Sequence, residues 1–221
     1  MKIFIETWKD FNPIIFKGLL ETLDMVTTSL IIATLIGIPI GIYFSLSSSK
    51  KNIWYIITSF TVNTVRSIPF LIFIVLVMPL SYLLIGTSFG THASKIPLTI
   101  IGISLITRSV EQSIQNLSPE LILTSRILGA TKTQAVFYFI IKEALPNLIL
   151  GITSVSISLI SYSTIMGVVA GGGLGDIAIR YGFQEYNRPL LIIVLIIMVI
   201  LVQIIQFTGN YIAYQFDKKR Y

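Results

Sequence analysis

Cysteine is absent from the 221 residues, so the chain holds no disulfide and no thiolate metal site. Histidine occurs once, at His92, and a lone solvated histidine is a poor ligand or base. Charge is scarce too. Asp, Glu, Lys and Arg make up 12% of the chain, against about 25% in a soluble domain. No phosphate-cradling G-x-x-x-x-G-K-[ST] loop is present: "GATKT" (129–133) lacks its glycine-lysine step, and "GGGLGD" (171–176) opens no dinucleotide-binding βαβ unit. Any nucleotide-driven work therefore falls to another chain. The apolar segments lack the clustered acids, histidines or nucleophile–base pair of a membrane-embedded enzyme. They also lack the internal repeats and midplane charges of a secondary transporter.

What is abundant is apolar sequence: 54% of residues are hydrophobic and the mean hydropathy is +0.85. That places the chain in the membrane class, as one domain covering residues 1–221 with no linker to divide it. The fold expected is all-α and polytopic, with about five transmembrane helices. The spans are placed at residues 19–46, 53–85, 96–110, 144–169 and 190–213. The second is too long for a simple crossing, and Arg66 divides it: "IWYIITSFTVNTVR" is read as lying along the interface and "SIPFLIFIVLVMPLSYLLI" as crossing. The opening "MKIFIETWKDFNP" lacks a small-residue cleavage site and does not read as a signal peptide.

The formal charge is +6. Basic residues gather on the cytoplasmic side of membrane proteins, which accounts for the excess without a nucleic-acid partner. With the C-terminus inside, the inner segments hold Lys50, Lys51, Arg126, Lys132, Lys142, Lys218, Lys219 and Arg220. The outer ones hold Lys2, Lys9, Lys17, Lys95, Arg180 and Arg188. The bias favours N-out and C-in.

This orientation puts "ILGATKTQAVFYFIIKEALPN" (127–147) at the cytoplasmic face. Ser118-Pro119-Glu120 is a helix start: a capping hydroxyl, a proline suited to the first turn and an acid at the positive end of the dipole. The helix "ELILTSRIL" is expected to stop at Gly129 in a left-handed conformation. Thr131 and Gln134 then have the spacing of a capping box, and Pro146 marks the entry of the next helix into the membrane. Leu121, Ile122, Ile127 and Leu128 are too apolar for a free loop. Two readings stand: a helix resting on lipid, or a docking helix that fits a partner's groove.

The stretch resembles the coupling segment of ABC importer permeases. Thr124, Ser125, Gly129 and Ala130 match its proximal part, and Glu143, Ala144, Leu145 and Pro146 its distal part. Leu123 stands where the signature glutamate is expected, and Arg126 lies within the segment, taken as about 118–137. Together with "GLLETLDMV" (18–26), "RSIPF" (66–70), "IGTSFGTHASKIPLT" (85–99), "GGGLGDIAIRYGFQEYN" (171–187) and "IQFTGNYI" (205–212), it is similar to the permease subunit of methionine importers over nearly the whole chain. The resemblance implies a type I ABC permease fold in a bacterial plasma membrane. It implies a homodimer, two cytoplasmic ATPase subunits and an extracytoplasmic substrate-binding lipoprotein. No cofactor is expected in this chain; ATP and Mg would belong to the ATPase. Another small amino acid or osmolyte is the alternative substrate.

Ile165 and Met166, near the outer end of the fourth span, are the candidates for lining or closing the path, together with Gly167 and Gly171. Gly37/Gly41 and Gly167/Gly171 have the G-x-x-x-G spacing that lets helices approach, either at a dimer seam or simply as packed helices. Arg66 has two readings, snorkelling to headgroups or holding the coupling segment. Arg108 and Glu111 are spaced to pair on a helix. Asp24 either precedes its span or faces the path. The glycines from Gly171 to Gly175 are expected to shape an outer rim that meets the binding protein.

Overall fold

The computed structural model describes residues 2–46 and 52–217, without the side chains of Lys2, Pro119, Ile122, Arg126 and Lys132. The "SSSKK" connection and the "KKR" tail, on which the orientation reading leans, lie outside the described residues. Every regular element among the described residues is helical, as lipid demands of a chain that must satisfy its own backbone. The order is α1 (Lys2–Leu46), α2 (Ile53–Ser67), α3 (Phe70–Ile85), α4 (Gly90–Gln115) and the short α5 (Pro119–Ile127). Then α6 (Lys132–Gln134) runs through a wide, π-type turn (Ala135–Ile140) into α7 (Ile141–Met166). After a tight turn come α8 (Gly173–Ile177), a second wide segment (Ala178–Gln184) and α9 (Arg188–Phe216).

Four helical stretches are long and apolar enough to cross a bilayer: Ile3–Leu46, Gly90–Gln115, Ala135–Val169 and Arg188–Phe216. The pair α2 and α3 is bent by 118° and supplies a fifth if counted as one span. The bend falls just after Arg66, where the sequence divides the apolar run. Ile68 precedes a proline and is extended (ψ 129°), and the Pro69 carbonyl then accepts from Ile72 and Phe73 to start α3.

α1 begins well before residue 19, the start expected from hydropathy. Its first turns expose Glu6, Lys9 and Asp10, which hide the helix from a search for apolar runs, yet they bury Thr7, Ile15 and Gly18. Pro13 lies inside this stretch and removes the donor that Lys9 would receive. The Asn12 side-chain nitrogen takes that place, 3.4 Å from the Lys9 carbonyl. Ile15 packs with Leu174, Ile177, Leu190 and Val194 in a small core of its own, which keeps the extension in register with α8 and α9.

The main core joins α1, α3, α4 and α7 around Met25, Ile74, Leu98, Ile106 and Leu159, none of them exposed. α1 and α4 touch backbone to side chain. A Cβ on Gly41 would lie 2.6 Å from Val110 Cβ and 2.7 Å from the Thr107 carbonyl, and one on Gly37 2.8 Å from Ile106 Cγ2. The G-x-x-x-G of α1 therefore serves packing within the subunit, and Thr107 donates across the same seam to the Gly37 carbonyl. Gly151 on α7 meets Ser109 of α4, and Gly209 on α9 meets Thr153 of α7. The same device thus recurs across the bundle.

Gly41→Leu would force a side chain into the α1–α4 seam, an overpacking cost of about 1–3 kcal/mol or more. Gly86→Ala meets open space at φ +83° and costs about 1 kcal/mol through backbone strain alone. Thermal unfolding of the detergent-purified protein should show the larger drop in Tm for Gly41→Leu.

Candidate functional site

The end of the bundle formed by the C-terminus of α4 and the N-terminus of α7 carries α5. Leu121 N–H bonds the Ser118 carbonyl at its start. At its end Gly129 turns left-handed at φ +70°, and the Ala130 N–H reaches back to the Ser125 carbonyl at 3.0 Å, the long bond of a Schellman stop. Thr131 then opens the next helix. Its hydroxyl accepts from the Gln134 N–H at 3.3 Å, and Gln134 Oε1 accepts from the Thr131 N–H at 2.9 Å. That is a reciprocal capping box. Both helix boundaries expected from the sequence are present.

Between these stops α5 lies against the wide turn Ala135–Ile140. Ser125 is buried and Thr124 bonds back to the Glu120 carbonyl, while Leu123, Ile127 and Leu128 are 58%, 76% and 68% exposed. Phe137 and Tyr138 on the wide turn are exposed beside them. Neither was singled out among the sequence candidates, although Phe137 closes the segment taken as about 118–137. A wide turn carries one extra residue and rotates the run "FYFII" so that Phe137 and Tyr138 face outward. Lys142 lies 5.4 Å from the Tyr138 ring. Ala130 and Glu143 are half-buried, and Pro146 sits in the second turn of α7. The backbone of Arg126 belongs to α5, and its side chain lies outside the described residues.

Arg108 and Glu111 pair as expected, and Glu111 also accepts from Gln115 at 3.2 Å. Arg108 extends further: its Nε donates to Asn63 on α2 at 3.1 Å, and its guanidinium lies 6.0 Å from the Phe44 ring on α1. A half-buried arginine paired with a buried glutamate thus fastens α1, α2 and α4 near the α5 end. Arg66 is exposed in the last turn of α2, where its charge suits the negative end of the helix.

At the opposite end, Met166, Gly167 and Gly171 are buried inside the subunit, and only Ile165 is half-exposed. Ile165 lines an open groove between α7 and α9 with Ser161, Thr164, Met198, Val202 and Gln203, about 470 Å³ in volume. A Cβ on Gly171 would lie 2.6 Å from Ser94 Oγ. Gly173, Leu174 and Gly175 are buried as well. The glycine run expected to form a rim is therefore largely packed inward, as a left-handed turn at Gly172 and Gly173 that opens α8, and Phe183 to Tyr186 are a continuous exposed stretch of this connection. Asp24 is an exposed partner of Lys95 on α4 at 2.7 Å, held also by Thr28 at 3.2 Å.

Residues 37–220 match the family described as binding-protein-dependent transport system inner membrane component. The chain belongs to that family of ABC importer permeases. It is 32% identical over 220 residues to the probable D-methionine transport system permease protein MetI of Vibrio cholerae, covering 97% of this chain and 98% of that one. It is 33% identical to the methionine import system permease protein MetP of Bacillus subtilis, over 78% and 80% of the two chains. A chain of the MetNI methionine ABC transporter in an inward-facing conformation superposes with a TM-score of 0.89 at 36% identity, over 95% of this chain and 99% of that one.

As a permease the chain is a transport subunit and not an enzyme, so its functional surfaces are those that meet other molecules. Gly129 sets the left-handed turn that ends α5. A Cβ there meets nothing within 4 Å, so a substitution costs only the left-handed strain, on the order of 1–2 kcal/mol. Gly129→Asp should leave the permease folded in the membrane and misdirect α6 relative to α5. The check is substrate-stimulated ATP hydrolysis by the reconstituted transporter, which should fall at least severalfold at unchanged permease content.

Proposed function

We propose that this chain is the permease of an ATP-driven methionine importer, acting as a homodimer whose two copies enclose the substrate path. Two ATP-binding subunits, which hold the ATP and Mg, dock on α5 at the cytoplasmic face. An extracytoplasmic substrate-binding lipoprotein delivers the substrate at the α8 end. The protein sits in the bacterial plasma membrane with its N-terminus out and its C-terminus in. The observation that carries this reading is the doubly stopped α5. Its exposed Leu123, Ile127 and Leu128 continue into Phe137 and Tyr138, on a turn leading directly into a membrane-crossing helix. A helix resting only on lipid needs no such continuity with α7. Methionine is supported by the names of the relatives and by the apolar walls near Ile165, which suit a thioether side chain.

In mechanism, α5 acts as a lever. Closure of the ATPase pair displaces α5, the wide turn passes the displacement to α7, and the dimer exchanges inward- and outward-facing arrangements. Leu123 replaces the acid of the family segment, so docking here relies on apolar contact more than on a charge. Arg66, exposed in the last turn of α2, is placed to reach headgroups or the other copy.

Reconstitution of the chain with its ATPase subunits and binding protein in vesicles should give methionine uptake that requires ATP; ATP-independent uptake would sink the reading. Single cysteines at His92 and Leu128 should label from opposite faces of right-side-out vesicles. Leu128→Lys should weaken ATPase retention on the purified permease by roughly tenfold or more, the scale of a lost apolar anchor.

A further inference from the structure

The turn between α7 and α8 is held from two sides by residues far away in the chain. On one side, Glu21 Oε2 of α1 accepts the Gly173 N–H at 2.9 Å, and the Thr22 hydroxyl accepts the Leu174 N–H at 2.9 Å. These are donors at the start of α8, where the helix itself offers no acceptor. Thr22 is buried and its hydroxyl donates in turn to the Gly18 carbonyl. On the other side, Ser94 donates to the Gly171 carbonyl at 3.2 Å, and the Gly90 N–H bonds the Ala170 carbonyl at 3.0 Å.

The fit is mutual. Gly172 and Gly173 are left-handed, at φ +81° and +78°. A Cβ on the first would lie 3.1 Å from Glu21 Oε2, and one on the second 2.7 Å from Thr22 Oγ1. Ala170 is left-handed too, at φ +55°, a conformation that persists in a residue with a Cβ where its surroundings over-determine it. Gly167, the first residue past α7, is pressed on the backbone of Gly175.

We propose that Glu21 and Thr22 are positioning residues of the transport cycle. They clasp the turn after α7 to α1, so that the outer end of α7 and the outer half of α1 move as one body. Motion delivered through α5 then opens and closes the path instead of dissipating in the glycine turn. The inference rests on the permease reading above.

The test is coupling, measured as radiolabelled methionine taken up per ATP hydrolysed by the complete transporter in vesicles with its binding protein. Thr22→Val keeps the shape and removes the acceptor; Glu21→Ala removes the carboxylate; Glu21→Gln keeps a carbonyl that can accept. Thr22→Val and Glu21→Ala should retain the ATPase subunits at wild-type stoichiometry and hydrolyse ATP at the wild-type basal rate. Their uptake per ATP should fall about tenfold, the scale of leaving a buried donor unpaired. Glu21→Gln should restore most of that ratio. An unchanged ratio in both variants overturns the proposal. So does failure of both to assemble, which would assign the pair to folding alone, and so does a glutamine variant as defective as the alanine one. ATP-driven uptake by the wild type in the same vesicles checks the permease reading separately; its absence overturns that reading and the proposal with it.

Discussion

Close approach of backbones is the constraint on which the bundle depends. Expelling water cannot hold helices together in a bilayer, because lipid tails are as apolar as leucine. Packing and polar contacts must do it. Here α1 meets α4 at Gly37 and Gly41, α7 meets α4 at Gly151, and α9 meets α7 at Gly209, each at a position where a Cβ has no room. Hydroxyls work along the same seams: Thr107 bonds the Gly37 carbonyl and Ser29 the Lys95 carbonyl. The close fit leaves the α1–α4 pair little freedom to slide, so it forms a stiff frame against which α7 and the connections at its two ends are positioned.

That stiffness makes the irregular backbone informative. Wide turns in helices mark positions where an extra residue is retained for a purpose, and the chain has them at Ala135–Ile140 and Ala178–Gln184. The first lies between α5 and α7 and is the joint that connects them. Phe137 and Tyr138 on this turn are exposed, as Leu123 and Ile127 are on α5, so the joint adds to the exposed apolar surface at this end. The second follows α8 and presents Phe183 and its neighbours to the outside, while Gly182 packs on Leu191 of α9.

The all-helical membrane class, the break near Arg66, the stops of α5 and the Arg108–Glu111 pair were legible in the sequence. Each depends on local chemistry or helical spacing: a proline that forces its predecessor extended, a glycine that tolerates a left-handed turn, a hydroxyl and an amide three residues apart. What was not legible depends on contacts between distant segments. The early start of α1 is masked by Glu6, Lys9 and Asp10 and supported by Ile15 packing on Leu174 and Val194. The inward packing of Gly171 to Gly175 depends on side chains of α1 and α4 that no local pattern reveals. The G-x-x-x-G spacing of α1 announced a close approach but not its partner, since α4 and a second copy would need the same small residues. The wide turns leave no signature at all, because a π-type turn uses the same residues as an α-helix.

The left-handed glycine turns at the end of α5 and at the start of α8 are completed in opposite ways. Gly129 and Gly173 share nearly the same positive φ, +70° and +78°. Behind Gly129 there is open space, and the residues around it, Ile127 and Leu128, are exposed apolar side chains. Behind Gly173 the space is already filled by Thr22 and Met25 of the same chain. An apolar surface around an open turn is costly in water unless another molecule covers it, whereas a filled turn needs nothing further. The turn after α5 thus stays open within the subunit, with its apolar neighbours uncovered, whereas the turn at the start of α8 is filled by side chains of the same chain.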